Sequence, residues 1–203
     1  MAYANVAVAM AGIVALARQL GLARFSHAAV FLLLLSFPYT TLAAKFNANA
    51  QLLSLWPWTA VIFLRALTAQ GLRALFLALA LGVLSAACML SKYYSGVFLL
   101  SLLVVAVFQR EGRQWLWTPW PYLALGVFAI GMYPHYQWLA SHDFATFVYA
   151  SEQSDASILW LRILKFFFMP LLYVFPAWLV TAALFAWANP AAQGPRWIQF
   201  GIS

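Results

Sequence analysis

Charge is what this sequence has least of. Only 7% of its 203 residues are Asp, Glu, Lys or Arg, where soluble domains carry roughly a quarter. A water-solvated globular fold is therefore excluded. Carboxylates are scarcer still: four acids stand against eleven Lys and Arg, leaving a net charge of +7. In so apolar a chain that excess reports on membrane topology, and no nucleic-acid partner is expected. Cysteine is almost absent. With Cys88 alone no intrachain disulfide can form, and its apolar neighbours mark a packed thiol without redox chemistry. Repeats, low-complexity tracts and linkers are missing too, so residues 1–203 read as a single transmembrane domain, and an incomplete one.

What is abundant points the same way. Hydrophobic residues make up 66% of the chain, and the mean hydropathy is +0.87. The 10 Trp, 9 Tyr and 17 Phe are the rings that favour the boundary between membrane and water. Seven apolar segments can be marked, near residues 3–17, 28–43, 50–64, 74–91, 93–108, 119–138 and 166–187. The expectation is an all-α, polytopic bundle of about seven transmembrane helices. Several segments fall short of the ~20 residues a spanning helix needs, so neighbouring helices and snorkelling ends must make up the difference.

Arginine placement orients the bundle. Arg18 and Arg24, Arg65 and Arg73, Arg110 and Arg113 in "QREGRQW", and Arg196 all fall on one side if seven crossings are made. That side is expected to be the cytoplasm. The opposite turns are then "AAKFNANAQ", "LSKYYSG" and a long outer loop at about 139–157 that carries Asp143, Glu152 and Asp155. All three lysines, Lys45, Lys92 and Lys165, sit on or near that outer side. The first segment lacks a basic leader and a small-residue cleavage site, so it does not read as a signal peptide.

Lys92 is the conspicuous residue, standing in "LSAACMLSKYYSGVFLLSLL", where no other charge occurs. Two readings are open. It snorkels at the top of a short hairpin with tyrosines in the interface belt, or it holds an anion at the membrane boundary.

Three stretches, in order, resemble glycosyltransferase family 39, the GT-C-type enzymes related to protein O-mannosyltransferases and the lipid A aminoarabinose transferase. They are "KFNANAQLLSLWPWTAVIFLRAL", "ALGVLSAACMLSKYYSGVFLL" and "PWPYLALGVFAIGMYPHYQWLASHDFATF", and the resemblance covers about residues 3–150. It implies a GT-C-like membrane domain in a bacterial inner (plasma) membrane. Such an enzyme moves a sugar from a polyprenyl-phosphate carrier to a lipid, glycan or protein acceptor at the outer face. Lys92 would then neutralise charge developing on the leaving phosphate, with Tyr93 and Tyr94 donating hydroxyls or stacking on the sugar.

Lys45 corresponds to a basic position of the family. Asn49 stands where the family pattern usually has Asp; an amide can hydrogen-bond a sugar or phosphate, but it is neither a base nor a metal counter-charge. Asn47 and Asn49 are equally well suited to an ordinary outer turn. Trp138, His142 and Asp143 are the candidate substrate contacts of the outer loop, with His135 on the approaching helix end; alternatively Asp143 caps a helical turn in a solvated loop. The resemblance also implies a catalytic carboxylate in an earlier outer loop, which this sequence does not display, so no catalytic residue is assigned. His135 and His142 lie seven apart without a Cys or acidic cluster, so no metal site is assigned either. No cofactor is certain, and the family leaves room for a divalent metal.

Arg162 and Lys165 in "ILWLRILKFFF" suit an interfacial anchor. Two other function classes fit a polytopic chain with few charges: a transporter or lipid flippase, and a non-catalytic membrane subunit. No matched pair of broken helices in two halves supports the first.

Overall fold

The computed structural model describes residues 1–36, 45 and 47–142, with isolated positions between 165 and 183. Seven α-helices and one 3-10 turn make up the described residues, and no strand occurs among them. They are α1 (Ala2–Gln19), α2 (Ser26–Leu34), α3 (Ala48–Ala66), α4 (Gly71–Ser91), α5 (Ser95–Phe108), α6 (Arg110–Leu116) and α7 (Trp120–Ser141).

Helices α1 and α3 run parallel because their polar residues pair near their starts. Asn5 donates to the Ala50 carbonyl at 2.6 Å and accepts from the Ser54 hydroxyl at 2.6 Å, while the Trp58 indole donates to the Val8 carbonyl at 3.0 Å. One turn further along, Gly12 lies against Pro57 and Trp58, where a Cβ would come within 3.0 Å of Pro57 Cβ. The missing side chain lets the helices close.

Helix α4 runs antiparallel to α3. The Ser91 hydroxyl donates to Gln51 Oε1 at 3.1 Å near one end, and Thr59 and Cys88 meet at 3.4 Å a few turns in. Helix α7 in turn packs parallel to α4 through two glycines. A Cβ on Gly82 would stand 2.5 Å from the Ala124 carbonyl oxygen, and one on Gly131 would stand 2.9 Å from Ala86 Cβ. Small residues at such crossings permit close backbone approach, which drives helix association where lipid removes the usual hydrophobic gain.

These directions give the bundle two chemically distinct ends. Arg18, Arg65 and Arg73 gather at one, since they lie at the end of α1, the end of α3 and the start of α4. Asn5, Asn49 and Lys92 gather at the other. Three of the arginines expected to share a side thus come together, while Arg196 lies outside the described residues.

One element was not anticipated. The stretch "QREGRQW" reads as a loop, yet Arg110–Leu116 forms α6, bent by 101° from α5. A helix of seven residues is too short to show its period in sequence. Gly112 makes the fold-back feasible, because any Cβ there would collide with the Ala106 backbone. Arg113 Nη1 donates to the Phe108 carbonyl at 2.9 Å and satisfies a helix-end acceptor of α5. Trp115 then plugs the arginine end, edge-on to Phe63 at 6.0 Å and buried with Leu67, Leu81 and Ala124. Its indole N–H is buried without a hydrogen-bond partner among the described residues.

The apolar segments at 3–17, 50–64, 74–91, 93–108 and 119–138 became α1, α3, α4, α5 and α7. The segment at 28–43 is α2 as far as Leu34, and most of 166–187 lies outside the described residues. Helix α7 continues to Ser141, into the stretch assigned to the long loop. The expectation of about seven crossings is met only in part. Among the described residues two helices, Ala2–Gln19 and Gly71–Ser91, are long and apolar enough to cross a membrane, and α5 with α6 makes a third if the bent pair is one span. At 14 residues α5 alone reaches only about 21 Å, short of the ~30 Å hydrocarbon core. Prolines and polar groups interrupt the apolar run in α3 and α7. Leu100, Leu125 and Ile130 point outwards, 60%, 62% and 75% exposed. Such surfaces suit lipid as their solvent.

Candidate functional site: a lysine-headed groove

The apolar run of α4 and α5 is interrupted at Lys92, which ends α4 in an extended conformation. The chain turns at once: the amides of Ser95 and Gly96 donate to the carbonyls of Lys92 and Tyr93, each at 2.9 Å. A break of this kind lets an ammonium leave the apolar interior without a long excursion. Lys92 Nζ is exposed and donates to Asn49 Oδ1 at 2.8 Å, joining the α4–α5 turn to the first turn of α3.

Lys92 and Asn49 form the head of a groove of about 460 Å³. From there it descends between α1, α3 and α5 past Leu53 and Trp56 to Ala60 and Leu16, and beyond the head its lining is apolar or aromatic, Tyr94 adding the one hydroxyl. The Trp56 ring is fixed as one wall. It stacks on Phe98 at 5.0 Å and 17° and on Tyr94 at 6.2 Å and 28°, while its N–H donates to the Ser95 hydroxyl at 3.2 Å. An offset aromatic stack gains more than its buried area alone would give. Among the described residues the only carboxylate is Glu111, on α6 at the arginine end. The Lys92 charge therefore has no counter-ion among them.

The other expected residues divide into two groups. Lys45 is exposed ahead of α3, and Asn47 caps that helix, its Oδ1 accepting from the Ala50 amide at 3.1 Å. That is the ordinary turn role open to an asparagine. Tyr93 leaves the groove to Tyr94 and points to α7, where its hydroxyl meets His135 Nε2. His135, Trp138 and His142 then stack in helical order, with ring centroids 6.0 Å and 4.5 Å apart. His142 Nδ1 is 2.8 Å from the Trp138 carbonyl and 2.9 Å from the Ser141 hydroxyl. Trp138 thus has an imidazole on either side of it along the helix. Asp143 lies outside the described residues, and Lys165 is exposed. Among the described residues no three His, Cys, Asp or Glu side chains come together in a way that could hold a metal.

Sequence reasoning missed Trp56 and Phe98 as groove walls. The signal was available in part, since Tyr94 and Phe98 stand four apart and share one helix face. Which tryptophan of "LWPWT" meets them depends on how α3 packs.

Fold and groove together define an α-helical membrane protein that presents a cationic, polar-headed cleft opening into an apolar trough. No curated protein and no solved structure matches the chain. Residues 1–138 do match the family described as dolichyl-phosphate-mannose-protein mannosyltransferase, and the chain belongs to that family of GT-C-type membrane glycosyltransferases.

Proposed function

We propose that this chain takes a sugar from a polyprenyl-phosphate carrier and passes it to a lipid, glycan or protein acceptor at the outer face of a bacterial inner membrane, as a multi-pass protein. One observation carries the reading: an exposed ammonium stands at the head of a groove whose remaining walls are aliphatic and aromatic. That arrangement matches a ligand with an anionic head and a long hydrocarbon tail. The phosphate sits at Lys92, and the first isoprene units lie along Trp56 towards Leu16.

In the transfer step the bond between the anomeric carbon and the phosphate oxygen breaks, and its electron pair stays on the phosphate. An acceptor oxygen attacks the same carbon from the opposite side and gives its proton to a base. Lys92 stabilises the charge that grows on the departing phosphate. Lys45 and Asn49 border the same end, and the column of His135, Trp138 and His142 stands beside it on α7.

The test is binding of a polyprenyl-phosphate sugar to the full chain in nanodiscs, native against Lys92→Gln. Binding weakened by about tenfold or more, the scale of one charge-assisted contact, is expected with unchanged thermal unfolding. Equal binding by both proteins would sink the donor-site reading and favour a transporter or a non-catalytic subunit.

A further inference from the structure

Resting on the reading that Lys92 holds a lipid phosphate, we propose that Asn49 is a specificity-determining residue. Its neutral carboxamide leaves the Lys92 ammonium uncompensated and adds a second donor beside it. The head of the groove therefore prefers a free lipid phosphate over a sugar-bearing phosphodiester.

The geometry assigns the two ends of the amide. An ammonium has three N–H donors and no acceptor, so the Asn49 atom 2.8 Å from Nζ must be its oxygen. The Asn49 NH2 group then remains at the groove's head without a partner among the described residues. Two ammonium N–H bonds and this amide stand side by side, all of them donors. Phosphate oxygens are acceptors only, so the set is complementary to them. A hydroxyl-rich head would need acceptors as well.

Charge separates the two phosphate ligands of the reaction. The donor is a diester with one negative charge, whereas the free lipid phosphate left after transfer is a monoester that approaches two, its second pKa being about 6. Attraction to an unneutralised ammonium scales with that charge. The preference therefore grows along the reaction, as the oxygen that leaves the sugar takes up the electron pair. Interactions stronger at that stage than in the ground state accelerate the step, and they also hold the product.

Asn49→Asp separates this role from a structural one by sign. The side chain keeps its size but gives Lys92 a permanent counter-ion and turns the free donor into an acceptor. If Asn49 served only to tie α3 to the α4–α5 turn, the ion pair would serve as well or better.

The experiment uses the full chain in nanodiscs with farnesyl phosphate and methyl farnesyl phosphate, a monoester and a diester sharing one tail. Native protein is expected to bind the monoester about tenfold more tightly than the diester, as one extra charge next to an ammonium warrants. Asn49→Asp is expected to erase that preference while melting no lower than native. Asn49→Ala, neutral but without the second donor, is expected to keep the charge-based preference while binding the monoester severalfold more weakly than native, and that loss decides the matter should the Asp variant not fold. A preference that survives in Asn49→Asp, or monoester binding by Asn49→Ala equal to native, overturns the proposal. Lys92→Gln, run alongside, identifies the level of failure: if it binds both compounds as native does, the phosphate site itself is wrong.

Discussion

Trp56 of α3 and Phe98 of α5 stack with ring centroids 5.0 Å apart, and this contact closes one side of the groove whose head is Lys92. Neither ring carries charge. Their role is to give an apolar tail a rigid wall.

Trp56→Ala is therefore expected to weaken tail binding while leaving the head intact. Loss of the wall should reduce affinity for farnesyl phosphate about 30-fold, in line with removing a large aromatic contact, and leave inorganic phosphate binding unchanged. Calorimetry with both ligands on detergent-purified protein checks it. Equal losses for the two ligands would mean that the tail does not lie along Trp56.

Gly82→Val is expected to push α7 away from α4. The added Cβ would meet the Ala124 carbonyl oxygen at 2.5 Å and Val127 Cβ at 2.6 Å, and neither is the flexible end of a long side chain. A cost of about 1–3 kcal/mol, typical of overpacking, is expected. Thermal or denaturant unfolding in detergent measures it. Gly126→Val is the control: among the described residues nothing beyond its own helix backbone lies within 4 Å of a Cβ at Gly126, so its stability should stay near native.

Tyr93→Phe and His135→Phe are expected to be coupled. The hydroxyl–imidazole contact ties the α4–α5 turn to α7 across 42 residues of sequence. Each single change should cost about 1 kcal/mol, the net worth of one such bond, and the double change hardly more than either alone. A double-mutant cycle on unfolding free energies reads the coupling directly. Strictly additive costs would show that the contact contributes nothing. Because Tyr93 adjoins Lys92, phosphate affinity is expected to fall in the same variants.

How much was legible in advance differs from residue to residue. The break at Lys92 was plain, because a lone charge and two tyrosines interrupt an otherwise unbroken apolar run. The common end of Arg18, Arg65 and Arg73 also followed from spacing, since apolar lengths fix how often the chain reverses. The pairing of Tyr93 was not legible: Tyr93 and Tyr94 are chemically equal neighbours, and only the turn sends one to His135 and the other to Trp56. Asn47 and Asn49 were equally well suited to a turn role. The start of α3 makes Asn47 its cap and leaves Asn49 two residues further on, within the first turn, bonded to Lys92.

The sequence by itself determined the solvent and the helical class of the fold. A chain so poor in charge belongs in lipid, and there the backbone must satisfy its own hydrogen bonds, which makes it helical. What only the tertiary structure decided is which helices touch. Lipid is as apolar as the side chains, so hydrophobicity alone selects no helix partner. Gly12, Gly82 and Gly131 select by letting backbones approach, and that choice brings Asn49 to Lys92 across 43 residues and builds the groove beneath them.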